Sequence, residues 1–126
     1  MSDKFAEVRE VLHTYFDALY TCDLALFEAV FHPRALYATA DESPALFRSM
    51  EEYFPVIARR VSPQSRGEPR RDVIDSIEFA GDNTALAKVR CSIGERDFVD
   101  FLTLVRENGR WQIAAKIFHI KPKSEG

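Results

Sequence analysis

Apolar side chains at Phe5, Val8, Leu12, Tyr15, Phe16 and Leu19 recur in steps of three and four, which predicts an amphipathic helix over residues 5–19. Asp23 follows as a side chain that accepts from the free amides of a second, short helix, with Leu26, Phe27, Val30 and Phe31 on its buried side. His32-Pro33 should stop it, because a proline ring crowds the preceding residue out of helical geometry. Ala35–Thr39 reads as a brief strand and Asp41-Glu42-Ser43-Pro44 as a turn, together a small hairpin or strap. Ser49 and Glu52 have capping-box spacing, and Met50, Tyr53, Phe54, Ile57 and Val61 continue at helical intervals, predicting a third helix. Pro55 lacks an amide hydrogen and predicts a kink or an early start there.

The pattern changes after a polar connection at residues 62–71 that carries Pro63, Gly67 and Pro69. Residues 73–79, 85–92, 97–105 and 111–120 read as strands, divided by Gly81-Asp82-Asn83, Gly94-Glu95 and Asn108-Gly109. Turns this short predict an antiparallel meander. Helices first and strands afterwards give an α+β fold, helices packed on one face of a curved, mainly antiparallel sheet.

Composition narrows what such a domain can do. At 126 residues, 46% of them apolar, the chain is long enough for a single domain over 1–126 with its own core. A formal charge of -3 supplies no broad basic field, although Arg59, Arg60, Arg66, Arg70 and Arg71 gather locally, so nucleic acid is not an expected partner. The N-terminus has no apolar signal core and no segment has the length of a membrane span, so a cytoplasmic protein without membrane contact is expected. Cys22 and Cys91 form no CxxC or Cys/His cluster and are expected to stay reduced. His13, His32 and His119 are too scattered for a metal site. No nucleophile elbow, phosphate loop or dinucleotide fingerprint appears, and no cofactor is expected.

The order of elements, with YFDALYTCDLALFEAVFHP near the start and DFLTLVRENGRWQIAAKIF near the end, resembles the nuclear transport factor 2-like superfamily over nearly the whole chain. Within it, DFLTL paired with NGRWQIAAK is most similar to the "putative lumazine-binding" branch, small bacterial proteins similar to polyketide cyclases. The resemblance implies a cone-shaped, half-open barrel with a pocket between helices and sheet, and a homodimer through the outer sheet face. The fold serves isomerases, dehydratases, cyclases and noncatalytic subunits alike, so function has to be argued from the site.

VLHTYFDAL, residues 11–19, is similar to the segment that supplies the oxyanion-holding tyrosine of ketosteroid isomerase, which makes Tyr15 a candidate donor into the cavity. The base of that enzyme falls in register near Thr39, and a threonine cannot shuttle a proton at neutral pH, which argues against steroid isomerisation. Asp100, between Val99 and Phe101, would be costly to bury unless paired. It is read either as a site residue or as the partner of Lys116 or Arg90 on an adjacent strand, while Lys116 itself has the alternative of snorkelling to solvent. If no bulge intervenes, His119 shares strand parity with Trp111, Ile113, Ala115 and Ile117 and reaches the cavity mouth as a proton carrier. His32 is expected to cap a helix end, and His13 to face solvent. Tyr37, Tyr53 and Trp111, with Phe16, Phe27, Phe54 and Phe101, are candidate walls for a flat ligand.

Three functions follow as expectations. The first is a dimeric domain binding a small aromatic ligand through Tyr15, Leu19, Tyr37, Tyr53, Phe54, Asp100 and Trp111. The second is a cofactor-independent lyase, cyclase or isomerase using Asp100, His119 and Tyr15. The third is an interaction subunit presenting its outer sheet, for which Leu86, Lys88, Arg90 and Leu102 are candidates.

Overall fold

A computed structural model describes residues 3–121. Helix α1 spans Lys4–Thr21, capped by Asp3, whose side chain accepts from the Phe5 amide at 2.9 Å. It buries Val8, Leu12, Tyr15, Phe16, Ala18 and Leu19, while Phe5 stays 44% exposed, so the apolar stripe begins one turn later than the periodicity predicts. Helix α2, Leu24–Val30, is capped by Asp23 as expected. It stops at Val30, with Phe31 as its C-cap, directly before His32-Pro33 as expected, but His32 does not cap it. Strand β1 runs Phe31–Thr39, and Pro33 sits inside a break in its register with the neighbouring strand, where no ladder donor is required. His32 instead accepts from the Arg34 amide through Nδ1 and pairs through Nε2 with Glu107 at 3.3 Å.

Strand β2, Leu46–Ser49, returns antiparallel to β1 and leads into helix α3, Met50–Arg59, which continues through Pro55. Its capping box is complete: Ser49 Oγ accepts from the Glu52 amide at 3.2 Å, and Glu52 Oε1 accepts from the Ser49 amide at 2.9 Å. Ser49→Ala should therefore lower the unfolding free energy by about 1 kcal/mol in urea titrations, without changing their slope.

The meander follows as β3 (Val73–Phe79), β4 (Thr84–Ile93), β5 (Arg96–Glu107) and β6 (Arg110–Lys121). Asn108 and Gly109, both at positive φ (53° and 75°), form the last tight turn. The six strands lie in the order β2-β1-β6-β5-β4-β3, antiparallel throughout except that β1 runs parallel to β6. The sheet stays open at β2 and β3, and the helices cover one face. On that face β4 places Ala85, Ala87, Val89 and Cys91, small enough for α1 to approach. No helix among the described residues is long and apolar enough to cross a membrane.

One irregularity decides which side chains enter the core. Thr103 pairs with Ala115 but Leu104 pairs with Ile113, so Ala114 is an extra residue on β6. A single extra residue reverses the alternation beyond it. Trp111 and Ile113 point inward before the bulge; after it the inward residues are Lys116 and Phe118, and Ile117 and His119 face out.

Candidate functional site

The bulge delivers a lysine into an aromatic interior. Lys116 is 5% exposed and Asp100, opposite Phe118 on β5, is 0% exposed. Lys116 Nζ lies 3.9 Å from Asp100 Oδ2, an ion pair looser than a hydrogen bond. The ammonium also sits over three ring faces, 5.2 Å from Tyr15, 5.3 Å from Phe118 and 5.4 Å from Tyr37. The Tyr15 hydroxyl donates to the same Asp100 oxygen at 2.6 Å, and Cys91 Sγ approaches it at 3.9 Å. Tyr53 closes the group from α3, its ring stacked 4.1 Å from Tyr37. Six elements of the fold thus converge on one carboxylate and one ammonium.

Electrostatics fix the protonation of the partners. Burial pushes the Lys116 pKa down, but the Asp100 carboxylate and the surrounding phenols outweigh it, and the net shift is upward, keeping the ammonium at neutral pH. Burial, reinforced by Asp100, raises the Tyr15 phenol well above its ordinary value, so it remains a donor. Burial and then Asp100 raise the Cys91 thiol, which excludes thiolate chemistry there. Tyr53 is also raised by burial, with Lys116 opposing.

Hydrogen bonding is incomplete in this interior. Asp100 Oδ1 and the Tyr53 hydroxyl are buried and have no partner among the protein atoms. A buried polar atom left unpaired costs roughly 1–3 kcal/mol, so two of them beside an ion pair are a departure from ordinary packing.

Tyr15, Tyr37, Tyr53 and Asp100 are thereby brought together, and other expected site residues are not. Leu19, one turn along α1 from Tyr15, is 3% exposed and lines a narrow gap with Cys91 and Ser92. Phe54 is half-buried on α3 with its ring 6.3 Å from Phe27. Trp111 lies toward the opposite end of β6, packed edge-on against Phe79 at 5.8 Å, with its indole N–H buried and unpartnered. His119 is separated from the cluster by the bulge: it lies on the outer face, its ring bonded to Asp41, which also accepts from the Ile120 amide at 2.9 Å. Those two donors, the amide first, hold the Asp41 carboxyl below its ordinary range. Thr39 is buried, and its Oγ1 accepts from the Asp41 amide at 3.1 Å. Arg90 does not serve Asp100, because it faces outward and grips Asp75 through two bonds of 2.8 and 2.9 Å. Phe101, expected as a wall, is 52% exposed on the outer face, whereas Leu102, expected outside, is fully buried. Cys91 and Phe118 went unnoticed because nothing local marks them as neighbours of Asp100.

The geometry has clear relatives. Two solved structures are alike over almost their whole length: a nuclear transport factor 2-like protein of unknown function from Silicibacter pomeroyi (22% identity, TM-score 0.83, 94% of this chain and 96% of that one) and another from Shewanella baltica (24%, 0.83, 94% of each). Those likenesses show the fold. A curated relative, Aldolase FrzH from Cladobotryum sp, is 43% identical over 42 residues, a stretch that spans 32% of this chain and 34% of that protein. Residues 3–119 match one family along nearly their entire length, and the chain belongs to that family, described as "Putative lumazine-binding", within the nuclear transport factor 2-like fold.

Proposed function

We propose that the chain is a small-molecule-binding domain whose interior cluster of Tyr15, Tyr53, Asp100 and Lys116 holds the polar edge of a planar ligand. The observation that carries this reading is the pair of buried, unpartnered atoms, Asp100 Oδ1 and the Tyr53 hydroxyl, beside a lysine ammonium without a hydrogen-bonded partner. An edge complementary to them offers a carbonyl or enolate oxygen to Lys116 and Tyr53 and an N–H or O–H to Asp100 Oδ1, as an enol, lactam or imide does. The family description supports a ligand of this flat, heteroatom-rich kind.

Tyr53→Phe tests it, because the substitution removes an unsatisfied buried hydroxyl and little else. Stability should rise by about 1 kcal/mol while small molecules retained in native mass spectra of the wild type are lost. Lower stability with undiminished ligand retention would mean that Tyr53 is structural and the reading is wrong.

A second reading, cofactor-independent proton transfer, is favoured by the stretch that is similar to Aldolase FrzH. Asp100 would take a proton from carbon beside a substrate carbonyl, the C–H electron pair passing to the carbonyl oxygen, where Lys116 and Tyr53 stabilise the enolate. The upward-shifted Lys116 serves this role as an ammonium, not as an amine nucleophile forming an imine. Solvent deuterium entering a β-hydroxy ketone, and ceasing to do so in Asp100→Asn, would decide for turnover.

We also propose that two copies pair through the outer sheet face. Register aligns Phe47, Ala38, Ile117 and Phe101 across four strands, with Phe47 64%, Phe101 52% and Ile117 43% exposed. Leu36, Ala115, Thr103 and Leu86 make the next row. An apolar band of this extent suits a self-complementary interface.

A further inference from the structure

We propose that the cleft at the ends of β4, β5 and β6 is the entrance to the interior site and grips an anionic tail, carboxylate or phosphate, on the planar ligand. This rests on the interior reading above and adds a chemical requirement to it.

The cleft has a volume of about 310 Å³ and lies where Cys91 and Ser92 of β4, Asp97 and Phe98 of β5 and Lys121 of β6 meet the segment Arg70–Val73. Its inner wall is one side chain thick. Cys91 lines the cleft and places Sγ 3.9 Å from Asp100 Oδ2. Phe98 lines it too, with its ring 6.0 Å from Phe118, the ring over which Lys116 Nζ sits at 5.3 Å. Cys91 therefore touches Asp100 directly and Phe98 is separated from Lys116 by the Phe118 ring, and the half-buried Phe98 ring is the side chain a ligand would displace on entry.

At the rim Arg70, Arg71, Arg90 and Lys121 meet an equal number of carboxylates, Asp17, Asp72, Asp75 and Asp97, but the ion pairs are shared unevenly. Arg70 is bonded to Asp17 and Asp72 at 2.8 Å each, Arg90 is taken by Asp75, and Asp97 accepts from Ser92 at 2.6 Å. Asp72 is thus held by a cation and Asp97 by a neutral hydroxyl. The side chains of Arg71 and Lys121, both exposed, take part in none of the hydrogen bonds or ion pairs found among the described residues, and a smaller hollow of about 130 Å³ continues past Arg71 along Ser92 and Asp97. Two cationic side chains thus face one cleft without an ion-pair partner of their own. A planar guanidinium beside an ammonium fits carboxylate or phosphate oxygens, and the apolar floor of Phe98 and Val73 fits the ring such a tail carries.

The test uses two matched probes, 2-naphthoate and its neutral isostere 2-naphthamide, titrated into the full chain and followed by amide NMR shifts. Naphthoate should move Arg71, Cys91 and Phe98 together with Tyr53 and Lys116, and bind at least tenfold tighter than naphthamide. Arg71→Ala/Lys121→Ala should keep a dispersed, folded spectrum and abolish that preference, leaving naphthamide binding unchanged. Equal affinity for the two probes, or a preference that survives the double substitution, overturns the anionic entrance while interior shifts keep the site itself standing. A naphthoate preference with shifts confined to the cleft overturns the interior site and the entrance with it.

Discussion

Lys116→Met should lower the unfolding free energy by about 3–5 kcal/mol, because it leaves the fully buried Asp100 carboxylate without its counter-charge. Methionine retains the length of the lysine stem, so the loss reports on charge more than on packing. For a domain of this size that is roughly 10 °C or more in Tm. Adding Asp100→Asn should recover much of the loss: the amide removes the stranded charge and its oxygen still accepts from Tyr15. Asp100→Asn alone should cost less than Lys116→Met, since the ammonium keeps the faces of Tyr15, Tyr37 and Phe118. Urea denaturation of the three variants gives the coupling directly. Were Lys116 merely snorkelling to solvent, the single change would cost under about 1 kcal/mol. The pH dependence has a definite sign. Lys116 is raised above its ordinary 10.5, so its contribution is fully present below that value and is lost only as pH climbs through the higher folded-state value. The contribution of the Lys116 ammonium should therefore be flat across neutral pH.

Phe101→Glu should convert a dimer into monomers, weakening association at least a hundredfold while leaving the monomer's stability within about 0.5 kcal/mol. Phe101 lies half-exposed at the end of the apolar row formed with Phe47, Ala38 and Ile117, so its replacement brings a desolvated carboxylate against an apolar partner surface in each copy. Light scattering across a dilution series reads the effect. An unchanged assembly state in Phe101→Glu would place the contact elsewhere or remove it.

What the chain disclosed in advance was local in origin. The stripe of α1, the Asp23 cap, the Ser49–Glu52 box and the Asn108-Gly109 turn depend on residues a few positions apart, and each stands where its pattern places it except that Phe5 leaves the α1 stripe for solvent. The parallel pairing of β1 with β6 joins residues almost eighty apart and leaves no mark in either segment. The bulge at Ala114 is the sharper case. Neither glycine nor proline flags it, and the apolar run Ile113–Phe118 lets either face pass as buried, so parity argued from Trp111 put His119 inside and left Lys116 open between pairing with Asp100, as it does, and snorkelling to solvent. Phe101 and Leu102 exchanged faces for the same reason: both are large and apolar, and only the pairing of β5 with its neighbours assigns one to solvent. Asp100 was visible as a charge in an apolar strand, but Tyr15, its donor, lies 85 positions earlier.

A high-resolution crystal structure of the protein purified without added ligand tests the interior site most directly. The account predicts electron density for a planar molecule in contact with Asp100 Oδ1, the Tyr53 hydroxyl and Lys116 Nζ, reached from the side of Phe98. A closed interior in which those three atoms are satisfied by protein groups alone would contradict it.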